Sequence, residues 1–291
     1  MLLAVSLVRL SDTKDLISPT VVVALDAWVD AGAASSSAVE LLAIGAPVVA
    51  RFSADLLYDY RSRRPTLDIV DGHPTSLDWP ELALRRTRLG ERDVLLLSGP
   101  EPDFRWRELA DDVASLAREL EVEQWISLGA IPAAVPHTRP VPILGTESSP
   151  GLLRGEIRAG PDGLLRVPAA LISVLDLAVA EAGIPALGYF AQIPHYVSGA
   201  YPQASIELLH ALERHLGVEI PLRLLPGEAE ELRTRLDTAT ALDEKTRTYI
   251  ERLEGMVDEA RLPSGGELIT EIERFLRERG GEGQGGGGPI H

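Results

Sequence analysis

The junction that decides the fold is VVVAL at residues 21–25 followed at once by DAWVDAG at 26–32. An unbroken apolar run of this length is typical of a strand buried on both faces of a sheet. Three further segments share this design: VLLL at 94–97 before SGPEPDFRW at 98–106, WISLG at 125–129 before IPAAVPHTRP at 131–140, and ALGYFA at 186–191 before QIPHYVS at 192–198. Because ligands bind outside the carboxyl ends of parallel strands, the four junctions predict the position of a site.

Helical patterns alternate with these strands along the chain. Predicted helices cover 33–44, 106–121, 169–182 and 202–215, and further predicted strands cover 47–52, 66–70, 81–89 and 141–145. Strands that alternate with helices over short connections are typical of parallel sheets. The sequence therefore predicts an α/β fold, with a mostly parallel sheet and helices on both of its faces.

The composition changes after Pro226. Two charge-dense stretches, 228–261 and 266–279, carry apolar residues at helical spacing. We predict that they form a C-terminal helical hairpin over 226–279, which packs against an α/β core domain at 1–225 or against another subunit. The glycine-rich residues 280–291 are predicted to form a flexible tail.

The charge and the residue usage exclude several classes of partner. A net charge of −16 argues against non-specific binding to nucleic acid or to anionic membranes, since both require clustered positive charge. No apolar run approaches the roughly 18 residues that a membrane span needs. The apolar residues 1–9 are expected to form a first strand rather than a signal peptide. The chain has no cysteine, which fits a reducing compartment, so we expect a cytoplasmic protein.

The loop after the first junction carries Trp28 and Asp30. Asp30 can act as a base beside an anion held by the N-terminus of the next helix, or it can cap that helix. Aspartate is so common at helix starts that capping is the favoured interpretation. No G-x-G-x-x-G follows the strand, so the loop is not a dinucleotide-binding fingerprint.

The second loop carries Glu101, Asp103 and Arg105. Paired carboxylates can divide the acid and base roles of a reaction when their surroundings separate their pKa values. The alternative is a proline-fixed turn with a local Asp–Arg pair. We favour this turn over proton transfer and expect the loop to line the site.

The third and fourth loops carry His137 with Arg139 and His195 with Tyr196. Two histidines with an aspartate can hold a metal ion, but no H-x-x-x-H spacing supports this, so we predict neither a metal nor a cofactor. A hydrolytic triad is disfavoured because the chain has no G-x-S-x-G elbow. We expect the histidines to bond to loop backbone and to stiffen a contact between subunits.

Taken together, these segments resemble the proteasome assembly chaperone 2 family in its actinobacterial form. The residues that carry the resemblance lie in order within 18–275: WVDAG at 28–32, YDYR at 58–61 with RRP at 63–65, GPEPD at 99–103 with RW at 105–106, LGA at 128–130 with VPHTRP at 135–140, and AQIPHYV at 191–197 with YP at 201–202. The resemblance implies a core similar to the phosphorylase/hydrolase-like fold, a helical C-terminal addition and self-assembly into small oligomers. Relatives in eukaryotes and archaea help to assemble or engage proteasomes, which implies a proteasome-related protein partner.

Two functions are compatible with these residues. The leading hypothesis is an oligomeric binding or chaperone-type protein with a polar crevice at the strand ends. The alternative is a nucleosidase-like or phosphorylase-like enzyme that acts on a small molecule, with an aspartate or glutamate as acid/base group and an arginine as anion clamp. In either case the residues predicted to line the crevice are Trp28, Asp30, Glu101, Asp103, Arg105, His137, Arg139, His195 and Tyr196.

Overall fold

The computed structural model describes residues 7–10, 16–157, 159–161 and 163–258. Its strands, in chain order, are β1 (Val8–Leu10), β2 (Thr20–Asp26), β3 (Val48–Phe52), β4 (Thr66–Val70), β5 (His73–Asp78), β6 (Ala83–Leu89), β7 (Arg92–Pro100), β8 (Gln124–Ala133), β9 (Ile143–Glu147) and β10 (Ala186–Pro194). Its helices are α1 (Ala34–Leu42), α2 (Ala54–Leu57), α3 (Trp106–Glu119), α4 (Leu171–Glu181), α5 (Pro202–Leu216), α6 (Leu225–Leu242) and α7 (Glu244–Asp258).

Within this described part, one sheet contains eight strands in the order β1-β3-β6-β7-β2-β8-β10-β9. The four strands that carry the predicted junctions, β7, β2, β8 and β10, are neighbours and run parallel. The strands on either side of them are antiparallel. The predicted α/β fold class is confirmed.

Strand β2 shows why its sequence is apolar at successive positions. Val22 and Ala24 point into a core that is closed by α1 and α5. Val21 and Val23 point into a second core on the opposite face, closed by α3 and α4. Because helices cover both faces, neither set of alternating side chains can be polar.

Strands β4 and β5 form a separate two-stranded hairpin. The sequence predicted β4 but not β5. The two strands are joined by Asp71 and Gly72, whose φ angles are 50° and 82°. Positive φ at both central residues is what a type I′ hairpin turn requires, and Asp-Gly is a favoured sequence for it.

The C-terminal stretch that was predicted as one helix over 228–261 contains a break. Asp243 is extended, with φ −124° and ψ 114°, and it separates α6 from α7. Its carboxylate accepts hydrogen bonds from the backbone N–H of Thr246 at 3.1 Å and from the Thr246 hydroxyl at 2.5 Å. Asp243 therefore caps α7. The predicted helix over 266–279 and the tail lie outside the described residues, so the division into core and hairpin stays a prediction.

Helix α6 packs against α5, and α7 packs against α6. Ala229 of α6 and Ile250 and Leu253 of α7 are buried. No helix among the described residues is long and apolar enough to cross a membrane.

Candidate functional site at the strand ends

Four loops follow the parallel strands at one edge of the sheet. They are the first loop (27–33, after β2), the second loop (101–105, after β7), the third loop (134–142, after β8) and the fourth loop (195–201, after β10). Asp30 forms a parallel bridge with Ala130 of β8. The backbone N–H of Glu101 donates to the carbonyl of Asp26 at 3.1 Å, and that of His195 donates to the last carbonyl of β8 at 3.1 Å. Backbone contacts therefore join the first, second and fourth loops to neighbouring strands along this edge.

Asp30 of the first loop is a buried helix cap. Its Oδ1 accepts hydrogen bonds from the backbone N–H of Ser35 at 2.8 Å, from the Ser35 hydroxyl at 2.6 Å and from the backbone N–H of Ser36 at 3.3 Å. These groups lie in the first turn of α1, where backbone donors have no partner within the helix. The structure thus places Asp30 in the capping role that the sequence favoured. Its Oδ2 is buried without a hydrogen-bond partner among the described residues.

The carboxylates of the second loop also bind backbone donors. Glu101 accepts a hydrogen bond of 2.6 Å from the N–H of Leu171, the first residue of α4. Burial raises the pKa of Glu101. Asp103 accepts a bond of 2.9 Å from the N–H of Asp59. Both carboxylates thus hold neighbouring segments in place.

Arg105 does not pair with Asp103 in the way the sequence suggested. Its guanidinium lies 2.8 Å from Glu108, one turn into α3, and both side chains are exposed. Arg105 has φ 61° and stands at the N-terminus of α3. The indole N–H of Trp106 donates to the carbonyl of Pro102 at 2.6 Å, which closes the turn.

His137 of the third loop connects the fourth loop to α6. Its backbone N–H donates to the Tyr196 hydroxyl at 2.8 Å, and its Nδ1 lies 2.8 Å from the same oxygen. Its Nε2 lies 3.1 Å from Oδ1 of Asp237. The Tyr196 O–H can donate to Nδ1, which leaves the proton on Nε2 for the carboxylate. Both ring nitrogens of His137 therefore have hydrogen-bond partners, Tyr196 for Nδ1 and Asp237 for Nε2.

His195 of the fourth loop makes the equivalent connection to α7. Its Nδ1 lies 3.1 Å from the carbonyl of Ala133, and its Nε2 lies 3.1 Å from the hydroxyl of Tyr249. The rings of His195, Tyr196 and Tyr249 contact one another edge to face, with centroids 5.6, 5.8 and 6.4 Å apart. Burial raises the pKa of Tyr196 above its ordinary value.

Arg139 binds two carboxylates of α7. Its guanidinium bonds to both carboxylate oxygens of Asp258, at 2.9 and 2.7 Å, and to Glu254 at 3.1 Å. Thr138 donates to the same Glu254 oxygen. These bonds hold the pKa of Arg139 above and that of Asp258 below their ordinary values.

The third loop, α5 and α6 enclose a cavity of about 240 Å³. Its lining combines apolar and charged side chains: His137, Thr138, Arg139, Pro140, Tyr201, Gln203, Glu207, Ala229, Leu232, Arg233 and Leu236. The cavity lies beside the polar contacts that join α6 and α7 to the third loop. We call this set of contacts, made by residues 137–139 and 195–196 with α6 and α7, the clasp.

The nine predicted residues thus divide into three groups. Those of the third and fourth loops are joined in the clasp. In the second loop, Glu101 binds the start of α4, Asp103 binds the backbone of Asp59, and Arg105 pairs with Glu108 of α3. Asp30 points to α1, and Trp28 is 41% exposed. No group of three or more potential metal ligands occurs in the described part of the chain.

Sequence reasoning missed the helical half of the clasp. Asp237, Tyr249, Glu254 and Asp258 lie on α6 and α7. The apolar stripe of α7, which contains Ile250 and Leu253, gives the only signal, because it identifies the face of the helix that meets the core. The partner of each polar residue on that face is not encoded locally.

A family model described as the PAC2 family matches residues 24–240 of the chain. A Corynebacterium glutamicum protein of unknown function is 32% identical, with a TM-score of 0.79 over 87% of this chain and 97% of that chain. A Mycobacterium tuberculosis proteasome-assembly chaperone homologue is 36% identical, with a TM-score of 0.72 over 79% of this chain and 99% of that chain. A Streptomyces avermitilis PAC2 family protein is 35% identical, with the same TM-score and the same two coverages. No curated protein matches the chain.

Proposed function

Because the chain belongs to the PAC2 family, we propose that it is a chaperone-type binding protein with a proteasome-related protein partner. Membership confirms the resemblance that the loop motifs indicated. A relative that is 36% identical is a proteasome-assembly chaperone homologue, which supports this kind of partner.

The observation that carries the proposal is what the candidate acid/base groups bind in the folded chain. Asp30, Glu101 and Asp103 each accept a hydrogen bond from a backbone N–H group. A general acid or base must instead reach the proton that it transfers. Each of the three carboxylates thus has a structural role, and this arrangement supports binding over catalysis.

The loops at the strand ends also present aromatic side chains to solvent. Trp28 of the first loop is 41% exposed and Phe104 of the second loop is 50% exposed. Arg105, which follows Phe104 in sequence, is also exposed. Large aromatic residues and arginine carry much of the energy of protein–protein interfaces. We assign the partner contact to this pair of loops.

The test is a pull-down with the tagged full chain from native lysate of its source organism, with proteasome subunits identified by mass spectrometry. Recovery of proteasome subunits is expected. The Trp28→Ala/Phe104→Ala variant should bind about 30-fold more weakly, since loss of a hot spot costs about 2 kcal/mol. The matched control is Leu177→Ala, because Leu177 is an exposed apolar residue of α4, 67% exposed.

A pull-down that recovers no proteasome subunit would contradict the proposed partner. A thermal-shift screen with nucleosides, nucleotides and phosphate tests the enzyme alternative separately. A ligand at about 100 times its Kd stabilises a protein by about 2.7 kcal/mol. Stabilisation by any of these compounds would favour the enzyme, and we expect none.

A further inference from the structure

The cavity between the third loop, α5 and α6 has a lining of mixed chemistry. Each helix contributes residues three or four positions apart, which lie on one side of a helix: Gln203 and Glu207 on α5, and Ala229, Leu232, Arg233 and Leu236 on α6. We propose that this cavity binds a free α-amino acid with an aliphatic side chain. Neither Trp28 nor Phe104 lines it, so the inference does not rest on the proposed protein partner.

A carboxylate and a guanidinium line the cavity from different helices without pairing to each other. No ion pair joins Glu207 to Arg233 in the described part of the chain. Oε2 of Glu207 lies 3.7 Å from Nδ1 of His210, its neighbour on α5. Nε of Arg233 lies 3.7 Å from Oδ2 of Asp237, its neighbour on α6. Both separations exceed the length of a hydrogen bond, so both groups keep bonding capacity for a ligand.

A buried phenol also lines the cavity. Tyr201 is 3% exposed, and within the described residues its hydroxyl makes no hydrogen bond. Burial raises the pKa of Tyr201 to about 12, and the nearby guanidinium of Arg233 acts against this rise. Because a buried donor without a partner is costly, a ligand that accepts a hydrogen bond from Tyr201 is favoured.

Other polar groups of the lining already have partners. His137, Thr138 and Arg139 are engaged with α6 and α7 in the clasp. The side-chain N–H of Gln203 donates to Glu207 at 3.0 Å and orients that carboxylate. The main polar groups that stay available to a ligand are therefore one hydroxyl, one guanidinium and one carboxylate.

An amino acid zwitterion matches these three groups. Its carboxylate accepts hydrogen bonds from Tyr201 and Arg233, and its ammonium group donates to Glu207. A ligand without net charge also balances the single guanidinium and the single carboxylate. Phosphate or a nucleotide brings excess negative charge close to Glu207, which is unfavourable.

The volume and the apolar lining indicate the side chain of the amino acid. Pro140, Leu232 and Leu236 present apolar side chains to the cavity. An apolar cavity of about 150 Å³ holds benzene, with its six carbon atoms. By proportion, the cavity of about 240 Å³ holds about ten non-hydrogen atoms. Leucine and its aliphatic relatives are of this size.

The first test is isothermal titration calorimetry of the full chain with the aliphatic L-amino acids. We expect saturable binding, with leucine among the ligands. Isocaproate, which lacks the amino group, and isoamylamine, which lacks the carboxylate, should each bind at least about 10-fold more weakly than leucine. Glycine should bind about 100-fold more weakly, because it lacks the apolar carbons.

Two results of this titration would overturn the proposal. One is the absence of saturable binding for every aliphatic amino acid. The other is equal affinity for leucine and isocaproate, which would mean that the ammonium group has no partner in the site.

The second test removes the polar groups one at a time. Tyr201→Phe deletes a hydroxyl that has no hydrogen bond in the described residues, so stability should not fall, while leucine should bind about 10-fold more weakly. Glu207→Gln should reduce the preference for leucine over isocaproate. Arg233→Gln should reduce the preference for leucine over isoamylamine.

The matched control is Arg235→Gln, because Arg235 is an exposed arginine of α6 that does not line the cavity. It should bind leucine like the wild type. Each preference compares two ligands on one protein, so a general loss of structure cannot imitate the expected changes. Wild-type preferences in both Glu207→Gln and Arg233→Gln would contradict the assigned contacts and the site.

Discussion

At the scale of single residues, the same chemical group serves different purposes in different surroundings. Asp30 and Glu101 were candidates for proton transfer because each follows a buried strand. In the folded chain each accepts hydrogen bonds from the first turn of a helix, α1 for Asp30 and α4 for Glu101. A carboxylate stabilises such a helix start both by hydrogen bonding and by its charge.

Gly99 gives the sharpest prediction at this scale. Its φ is 148°, and a Cβ atom there would overlap the carbonyl oxygen of Glu81. Gly99→Ala should lower the free energy of unfolding by about 3 kcal/mol, from steric overlap and backbone strain together. Urea denaturation measures the difference. Gly227→Ala in α6 is the control, because a Cβ there meets nothing within 4 Å. Equal stability of Gly99→Ala and wild type would contradict the close approach of the Glu81 carbonyl to Gly99.

At the scale of elements, the question is what holds α6 and α7 on the core. The clasp supplies polar contacts, and two of its four partners on the helices, Asp237 and Asp258, are exposed. Exposed ion pairs add little to stability, whereas buried apolar side chains add about 1.5–3 kcal/mol each. Ile250 and Leu253, which are 3% and 1% exposed, should therefore matter more than the ion pairs.

We expect the Ile250→Ala/Leu253→Ala variant to lose at least about 3 kcal/mol of stability, since truncating a buried leucine or isoleucine to alanine costs about 2–5 kcal/mol. Arg139→Ala, which removes the bonds to Glu254 and Asp258, should have a much smaller effect. Thermal and urea denaturation of the full chain compare the two. A larger loss in Arg139→Ala would show that the polar clasp is the main attachment.

At the scale of the whole molecule, two partly buried titratable groups on opposite faces of the sheet influence stability in opposite directions. Asp176 of α4 accepts hydrogen bonds from Ser127 at 2.5 Å and Trp125 at 2.8 Å, and burial raises its pKa to about 7. His215 of α5 lies 2.8 Å from the Tyr189 hydroxyl and 2.9 Å from Gln124. Burial, aided by nearby arginines, lowers the pKa of His215 to about 4.

The signs of the two effects differ. The pKa of Asp176 rises from 3.8 to about 7 on folding, so the folded state binds a proton at this group more readily than the unfolded chain does. Asp176 therefore makes stability fall as pH rises through that range. The unfolded chain binds a proton at His215 more readily, since the pKa falls from 6.5 to about 4, so this group makes stability rise with pH. Between about pH 4 and 6.5 the two effects oppose each other.

Asp176→Asn should therefore remove one of the two opposing effects and leave the pH dependence of stability that His215 causes. The stability of this variant should rise relative to wild type from pH 4.5 to 6.5, with a slope approaching about 1.4 kcal/mol per pH unit. His215→Gln should show the opposite slope. Urea denaturation at four pH values from 4.5 to 7.5 measures both. Parallel curves for wild type and Asp176→Asn would mean that Asp176 titrates normally in the folded chain.

Much of the fold was predictable because it follows from local patterns. The helix predicted over 106–121 is α3 at Trp106–Glu119, and the strand predicted over 66–70 is β4. These elements are encoded by the spacing of apolar residues, which depends only on the period of a helix or strand. Strand β5 was missed because an exposed hairpin has no buried face to impose a strong pattern, so only its Asp-Gly turn indicates it.

The sequence by itself determined the α/β class, the four loops at the strand ends and the family, since each rests on short contiguous segments. Only the tertiary structure decided the partners of the loop residues. His137 meets Asp237 across 100 residues, and Arg139 meets Asp258 across 119. Such pairs depend on where α6 and α7 pack, and packing depends on apolar burial summed over the whole chain rather than on any local signal. For the same reason, the sequence placed these residues in loops after the strands, whereas the fold decided that Asp30, Glu101 and Asp103 bind backbone donors.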